Sequence, residues 1–285
     1  DAGYGELMRD EKMLQELAEQ GRLNEAPPIQ ESSTLQDILS SYERQAHQSF
    51  NLINTTMLDE SRNTYVSILN QTTGQVLAGV KTSQEALRDT VSQFADDGIP
   101  ALIDRRGRKW STEAYTSMGM RSTANNIANE MQGARLDEFG VDLVEVSSYP
   151  GARPKCFEDQ GKVYSMSGQS NKFPAMSSTS YGQPDGLFGV NCSHTKYPYI
   201  DGISRKSYEP YGKRENDRIY ENSQKQRYLE RQIRKGKREL RMFEELGDQE
   251  GIQNAKRKIR DRQANLRAFI DETGRTRRRS REQIY

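Results

Sequence analysis

The stretch Val141-Asp142-Leu143-Val144-Glu145-Val146, which leads into Ser147-Ser148-Tyr149-Pro150-Gly151, marks the place where the chain changes character. Apolar and polar residues alternate over 141–146, which is the pattern of a β-strand. From residue 147 to residue 205 the chain is rich in glycine, proline, serine, tyrosine and asparagine. This composition predicts short strands and ordered loops, and it makes a functional site more plausible here than in the flanking helices.

The residues before this stretch have helical periodicity. Helices are predicted over residues 4–20, 34–58, 65–77, 83–95 and 114–139. Ser33 or Thr34 is the expected N-cap of the second of these, and Gly140 is the expected end of the last. Between the last two helices, residues 99–110 predict a short hairpin, because a polar turn separates two apolar flanks.

The residues after the stretch predict two more helices with matched apolar stripes. The first stripe consists of Tyr220, Leu229, Ile233, Leu240 and Phe243, and the second of Ile252, Ala255, Ile259, Leu266 and Phe269. Because Leu246-Gly247-Asp248 leaves room for a tight turn only, the two helices should pack antiparallel. Residues 273–285 are expected to form a mobile basic tail.

The predicted fold class is therefore α+β in three parts. Residues 1–140 are a mainly helical region, residues 141–210 are a small Gly/Pro-rich domain of strands and loops, and residues 211–285 are a basic helical hairpin with its tail. Lys162-Val163-Tyr164-Ser165 should pair with residues 141–146 or with residues 187–190. Either pairing would bring the loop that holds Cys156 beside the loop that holds Cys192 and His194.

Composition argues against an enzyme built around one large core. Only 33% of the residues are hydrophobic, 29% are charged, and the mean hydropathy is −0.96. The net charge of +1 hides an asymmetry, because residues 205–285 carry 24 Lys/Arg and 14 Asp/Glu, a net of +10. Residues 1–204 carry the remaining net of −9, so two surfaces with different partners are expected. No apolar run has the length of a membrane span, and no membrane partner is expected.

The Gly/Pro-rich segment contains a candidate metal-ligand set. Two thiolates, Cys156 and Cys192, and the imidazole of His194 match the ligand chemistry of zinc, and Asp159 or Asp201 would be the fourth ligand. Three alternatives remain open. These residues could simply pack within the domain, the cysteines could form a disulfide, or a cysteine could act as a nucleophile activated by His194.

Further residues of the same segment invite two interpretations each. Arg153 is held extended by Pro154 and could bind a carboxylate or phosphate, or form a salt bridge inside the domain. Ser178-Thr179-Ser180 is similar to the Ser-Thr-Ser element of arginine-specific ADP-ribosyltransferases, but the Glu-x-Glu that should follow is missing.

The basic C-terminal helices could face DNA or could be solvated helix surfaces. The residues expected to contact DNA are Arg275, Arg277, Arg278, Arg279 and Arg281.

The middle segment also resembles a known family. Ser147-Ser148-Tyr149-Pro150-Gly151-Ala152-Arg153-Pro154-Lys155-Cys156, Asp159-Gln160-Gly161-Lys162-Val163-Tyr164-Ser165 and Gly189-Val190-Asn191-Cys192-Ser193-His194 resemble the phage minor capsid protein 2 family, which is related to the Mu F-like head morphogenesis proteins. The resemblance spans nearly the whole chain. Within it, Gly151, Arg153, Pro154, Gly161 and Asn191 are the expected structural motif. Members of that family usually have further residues before the point where this sequence starts, so the resemblance implies that an N-terminal, portal-facing segment is missing.

The resemblance implies a structural minor capsid protein of a tailed phage. Such a protein would be made in the host cytoplasm and would lie inside the head or at the portal, where it would contact portal protein, major capsid protein and packaged double-stranded DNA without sequence preference. The alternative that the resemblance leaves open is a toxin-like or ADP-ribosyltransferase-like effector delivered with the DNA. The sequence has only fragments of a catalytic set, so enzymatic activity is the less favoured reading.

Overall fold

A computed structural model of the chain describes residues 2–77, 81–82, 85–86, 88–89, 92, 95, 100–103 and 109–284. The main elements in chain order are α1 (Ala2–Glu19), α2 (Ser33–Leu77), β1 (Pro100–Ile103), β2 (Lys109–Ser111), α3 (Thr112–Glu138), β3 (Leu143–Val146), α4 (Pro154–Phe157), β4 (Val163–Ser165), β5 (Lys196–Pro198), α5 (Lys213–Leu246) and α6 (Gln249–Thr273). The predicted α+β class is confirmed. Among the described helices, none is both long and apolar enough to cross a membrane.

The chain groups into two compact units. The first comprises Asp1–Phe50 and Thr116–Tyr220, and the second comprises Asn51–Tyr115 and Glu221–Tyr285. The boundaries between these units are set by which residues pack together, and they fall inside helices. The division predicted from the sequence, at residues 140 and 210, was instead set by changes in composition. The first unit contains the three-stranded sheet, and the second contains the helical hairpin.

Helix α2 runs without a break through a region where the sequence predicted two helices. Residues 59–64 carry no apolar stripe, but they contain neither glycine nor proline, so nothing interrupts the backbone hydrogen bonds. The helix also begins one residue earlier than expected. Its N-cap is the buried Ser32, whose Oγ accepts the N–H of Leu35 at 3.3 Å.

A three-stranded antiparallel sheet lies at the centre of the first unit, in the order β4-β3-β5. Val144 in the middle strand is opposite Tyr164 on one side and Pro198 on the other. The pairing of 162–165 with 141–146 is confirmed, whereas the alternative partner, residues 187–190, forms turns. Phe188 and Asn191 have φ of +58°, which no strand residue adopts, and this explains why the third strand is β5 instead.

The sheet and the helices of this unit share one hydrophobic core. Leu14 of α1, Leu136 of α3 and Phe139 pack with the strand residues Val144 and Val146. Gly140 ends α3 with φ of +71°, as its position in the sequence predicted. The same core includes Cys156, Leu187 and Cys192, so the Gly/Pro-rich loops are anchored in it rather than lying loosely on the surface.

The second unit is organised around the antiparallel hairpin of α5 and α6, which confirms the predicted hairpin. Phe243, Ile252 and Ala255 form a buried cluster next to the turn, and Gly251 lies so close to the Phe243 ring that no side chain would fit there. Strands β1 and β2 pair antiparallel, as the sequence predicted, while their turn at 104–108 lies outside the described residues. In the predicted helix 83–95, the described residues from 85 onward are helical.

The expectation of a mobile C-terminal tail is wrong. Residues 279–282 form a short 3-10 helix, and the buried Glu282 accepts two hydrogen bonds of 2.6 Å from Arg277. Arg275 Nε donates to Gln226 of α5 at 2.7 Å. The tail is therefore folded onto the hairpin through its own arginines, which the charge pattern alone did not reveal.

Candidate metal centre

The first sulfur of the site is placed by the short helix α4. Pro154 occupies the first helical position, where a missing N–H costs nothing, and the N–H groups of Cys156 and Phe157 both donate to the carbonyl of Arg153. This single turn directs Cys156 into the core, where only 1% of its surface is exposed. The Gly/Pro pattern around it thus fixes the position of one thiol.

The second sulfur and the imidazole come from a loop of successive tight turns. Gly189 N–H donates to Gly186 O at 3.1 Å, and Cys192 N–H donates to Gly189 O at 2.9 Å. Asn191 adopts the left-handed backbone conformation with φ of +58°, which asparagine tolerates better than most residues. Its N–H also donates to Ser122 Oγ of α3 at 3.1 Å, which fastens the loop to a helix.

The three predicted ligands converge. The sulfurs of Cys156 and Cys192 are 4.0 Å apart, and Cys192 Sγ is 3.3 Å from His194 Nδ1. One ligand atom from each residue lies within 4.8 Å of those of the other two, and all three side chains are buried. The predicted convergence of two loops 36 residues apart is confirmed, and both cysteines are free thiols.

The orientation of His194 is set by Gln160. Gln160 Oε1 accepts the backbone N–H of Tyr149 at 3.2 Å, which identifies that atom as the oxygen, and it lies 3.3 Å from His194 Nε2. His194 Nε2 must therefore carry a proton and donate it to Gln160, which leaves Nδ1 as the ring nitrogen that faces the sulfurs. The Tyr149 ring packs on the imidazole with centroids 4.4 Å apart.

The electrostatics favour a single negative charge on the sulfur pair. The hydrogen bond from Cys156 and the neighbouring His194 lower the pKa of Cys192 to about 4, although burial opposes this. The same sulfur–sulfur hydrogen bond, together with burial, raises the pKa of Cys156 far above its usual range. The two sulfurs are thus close enough to share one proton, and Cys192 is the more acidic of the pair.

Asp159 does not join this group. Its carboxylate accepts hydrogen bonds from Tyr164 Oη at 3.3 Å and from the N–H and hydroxyl of Ser180 at 3.3 and 3.2 Å. The other candidate fourth ligand, Asp201, pairs with Lys172 on the surface. Within the described part of the chain, Cys156, Cys192 and His194 form a group without a carboxylate.

Comparison with known proteins identifies the family. The model of the family described as phage minor capsid protein 2 matches residues 1–271. The chain belongs to the phage minor capsid protein 2 family. It is 32% identical to a structural protein of Lactococcus phage LL-H over 263 residues, covering 88% of this chain and 71% of that protein. It is 35% identical to a structural protein of Lactococcus phage mv4 over 114 residues, 40% of this chain and 93% of that protein. No solved structure matches.

In this phage minor capsid protein 2 family member, Arg153 holds backbone rather than an anion. Its guanidinium donates to Val190 O at 2.8 Å and to Gly186 O at 3.1 Å, and Nη2 lies 3.8 Å from Cys156 Sγ. Both interpretations drawn from the sequence, an anion site and an internal salt bridge, are therefore replaced by a third. Arg153 ties the turn at 186–190 to α4.

The glycines of the sequence motif allow two close backbone approaches. A Cβ on Gly151 would lie 2.8 Å from Ile219 Cγ2, and one on Gly161 would lie 2.8 Å from the nitrogen of Pro210. Both residues also have positive φ, +82° and +65°. The motif thus brings the loops of the site against the segment that begins α5.

The hydroxyl groups of Ser178, Thr179 and Ser180 form hydrogen bonds to backbone carbonyls within the same unit. The hydroxyls of Ser178 and Thr179 donate to the carbonyls of Ala175 and Met176, and the Ser180 hydroxyl donates to Lys155 O at 2.9 Å. These bonds complete a 3-10 turn and fasten it to α4. No feature of this turn favours an ADP-ribosyltransferase role.

The five arginines that the sequence suggested for DNA contact are divided between two environments. Arg275, Arg277 and Arg281 interact with Gln226, Glu282 and Glu230, respectively. Arg278 and Arg279 are exposed. On α6, Lys256, Arg257 and Arg260 are exposed, so this stretch has more accessible cations than the tail.

Sequence reasoning did not single out Gln160, Tyr149 or Asn216. Gln160 and Tyr149 support the imidazole, and Asn216 binds the loop before Cys156. Gln160 and Tyr149 lie in the stretches that carry the family resemblance, close to the motif glycines Gly161 and Gly151. The roles of all three depend on contacts between residues that are distant in the sequence, which no spacing rule reveals.

Proposed function

We propose that this chain is an internal or portal-proximal minor component of a tailed-phage head, which contacts portal or capsid protein through its acidic residues and packaged DNA through its basic hairpin. The family and the similar phage structural proteins support the coarse role. The observation that carries the finer proposal is the separation of charge, with a net of +10 in residues 205–285 and −9 in residues 1–204.

The structure of the second unit indicates which cations remain for DNA. Three of its acids, Glu230, Glu239 and Glu282, are buried and face cations within the unit. Each pair cancels one negative and one positive charge and leaves the net charge of the unit unchanged. The positive charge available to a phosphate is therefore carried by the Lys and Arg residues outside these pairs.

Contacts of this kind would not read sequence. Lys256, Arg257 and Arg260 lie close together along α6 and are all exposed, while Lys258 between them pairs with Glu239. Phosphate contacts need only such charges, and no aromatic residue interrupts the run to stack on a base. Nonspecific, salt-sensitive binding to duplex DNA suits a protein packaged with a whole genome.

The position in the head is tested on virions of a phage that encodes this chain. Protease is added to intact virions and to heads emptied of DNA, and cleavage of this chain is followed by mass spectrometry. An internal protein is cleaved only after the heads are opened. Cleavage in intact virions at the same rate as a surface protein would place the chain outside and overturn the proposal. Chemical cross-links to the portal protein, compared with cross-links to major capsid protein, distinguish the two internal positions.

The DNA contact is tested separately on the purified chain. Affinity for a short duplex is measured at several salt concentrations, and log K should fall linearly with log salt, by about 0.9 for each phosphate contacted. Replacing Lys256, Arg257 and Arg260 by Ala should flatten this slope. The matched control replaces the exposed Lys12, Lys172 and Lys206, which also removes three positive charges. Equal loss in both triple variants, or a strong preference for one DNA sequence, would contradict the assignment.

A further inference from the structure

We propose that Cys156, Cys192 and His194 bind one zinc ion, which fastens α4 to the loop at 186–194 in the core of the first unit. Among the residues that the structure describes, these three form a group of cysteine and histidine side chains whose ligand atoms lie close enough together to share one ion. Their role would be structural, because none of them is accessible to a substrate: their exposed fractions are 1%, 5% and 0%.

The distances fit a tetrahedral ion. With zinc–sulfur bonds of about 2.3 Å, two sulfur ligands of one ion are about 3.8 Å apart, and a sulfur and a nitrogen ligand are about 3.5 Å apart. The observed separations are 4.0 Å for the two sulfurs and 3.3 Å for Cys192 Sγ and His194 Nδ1. The third separation, between Cys156 and His194, is within 4.8 Å, so a side-chain shift of up to about 1 Å would complete the site. A disulfide needs about 2.05 Å between sulfurs, so the pair would have to close by about 2 Å.

The imidazole is already oriented as a metal requires. Gln160 Oε1 accepts from His194 Nε2, so Nδ1 is the ring nitrogen that faces the sulfurs and is placed to bind a metal. Metal-bound histidines usually donate their second N–H to a protein oxygen in this way, and the bond fixes both the tautomer and the ring plane. The packing of Tyr149 on the ring restricts its rotation further.

The charges also balance. Two thiolates cancel the charge of Zn²⁺, so a Cys2His site is neutral and can be buried at low cost. The fourth ligand would be a water molecule, because the carboxylate of Asp159 is engaged by Tyr164 and Ser180. Soft sulfur ligands discriminate against Mg²⁺ and Ca²⁺, which select oxygen.

The first experiment measures metal in the full chain, purified under reducing conditions without chelator. We expect about one zinc ion per chain. Cys192→Ser and His194→Gln should lose most of it, while His47→Gln, which changes the exposed second histidine of the chain, should retain it. Circular dichroism establishes whether each variant folds.

The second experiment uses the unmodified chain alone, so that it is decisive even if the variants misfold. The metal-free chain is titrated with Co²⁺, which should produce thiolate-to-cobalt charge-transfer absorption that saturates at about one equivalent and disappears when Zn²⁺ is added. Thermal unfolding should move to higher temperature in the presence of zinc, because the ion binds the folded state.

Three results would overturn the proposal. One is a purified chain without zinc that also gives no thiolate absorption with Co²⁺. Another is a chain whose mass shows the loss of two hydrogens, which would reveal a Cys156–Cys192 disulfide. The third is stoichiometric copper in place of zinc, because the same soft ligands also accept Cu(I). These outcomes are independent of where the protein lies in the head, so this inference and the proposed function can fail separately.

Discussion

Asn216 binds the peptide unit of Ala152 from both sides. Its Oδ1 accepts the N–H of Ala152 at 2.8 Å, and its Nδ2 donates to the carbonyl of the same residue at 2.9 Å. The same Oδ1 accepts the N–H of Gly151 at 3.0 Å. Asn216 is completely buried, so one side chain near the start of α5 satisfies the polar backbone of the loop that leads to Cys156.

Asn216→Ala should therefore destabilise the first unit strongly. The substitution leaves two buried N–H groups and one carbonyl without partners, and we expect it to lower the free energy of unfolding by about 3 kcal/mol. Urea unfolding followed by circular dichroism measures the loss. Gln224→Ala changes an exposed residue of the same helix and is the control. If both variants unfold at the same urea concentration, the bonds to the loop contribute nothing.

Two glycines with the same backbone conformation allow steric contact to be separated from backbone strain. Gly151 and Gly182 both have φ of +82°, but a Cβ on Gly151 would lie 2.8 Å from Ile219 Cγ2, whereas one on Gly182 would meet nothing within 4 Å. We expect Gly182→Ala to cost about 1 kcal/mol for the left-handed conformation. Gly151→Ala should cost about 1–3 kcal/mol more because of the overlap. Similar unfolding midpoints for the two variants would show that the loop at 151 can move away from α5.

Features that depend on neighbouring residues could be predicted from the sequence. The alternation over 141–146 predicted β3, Gly140 predicted the end of α3, and the turn around Gly247 predicted the hairpin. The break proposed inside α2 was wrong because a polar run was taken for a boundary. Polar residues without glycine or proline weaken an apolar stripe but do not stop a helix.

Features that depend on distant pairing could not be predicted. In the sequence, Glu282 and Glu230 look like any other surface acid beside arginines, and only the folded tail shows that they are buried. At the candidate metal centre, residue types alone suggested Cys156, Cys192 and His194. The choice of Asp159 as a ligand failed because the sequence did not reveal that Tyr164 and Ser180 bind its carboxylate.

The start of α6 should make the stability of the second unit depend on pH. Asp248 caps α6 by accepting the N–H of Gly251 at 3.2 Å, and it receives two hydrogen bonds from Arg88, of 2.6 and 3.1 Å. The bonds from Arg88 lower the pKa of Asp248. A carboxylate with a lowered pKa in the folded state stabilises the fold above its unfolded pKa, near 3.9, and this contribution is lost as the pH falls through the folded value.

Asp248→Asn tests this assignment, because asparagine caps a helix as well as aspartate does but carries no charge. The variant should be less stable than the unmodified chain at neutral pH, and the difference should shrink when unfolding is repeated below about pH 4. Asp261→Asn removes an exposed carboxylate of the same helix and is the matched control. A difference between the Asp248 variant and the unmodified chain that stays constant with pH would mean that the pairing with Arg88 does not stabilise the fold.

Arg153→Lys should loosen the loop of the candidate metal centre without unfolding the hairpin. The planar guanidinium reaches the carbonyls of Val190 and Gly186 together, whereas a lysine ammonium on its flexible stem is expected to satisfy only one of them. One carbonyl then loses this donor, at a cost of about 1 kcal/mol, because Gly186 O keeps the N–H of Gly189 and Val190 O is exposed to water. Hydrogen exchange measured by mass spectrometry should show faster exchange in the peptide that contains residues 186–192, where the N–H groups of Gly189, Val190 and Cys192 are hydrogen-bonded.

Peptides from α6 should be unaffected, and Arg205→Lys, an exposed substitution of the same kind, should change neither region. If exchange in 186–192 stays at the rate of the unmodified chain, the loop is held by its own turns, and Arg153 does not position Cys192 or His194.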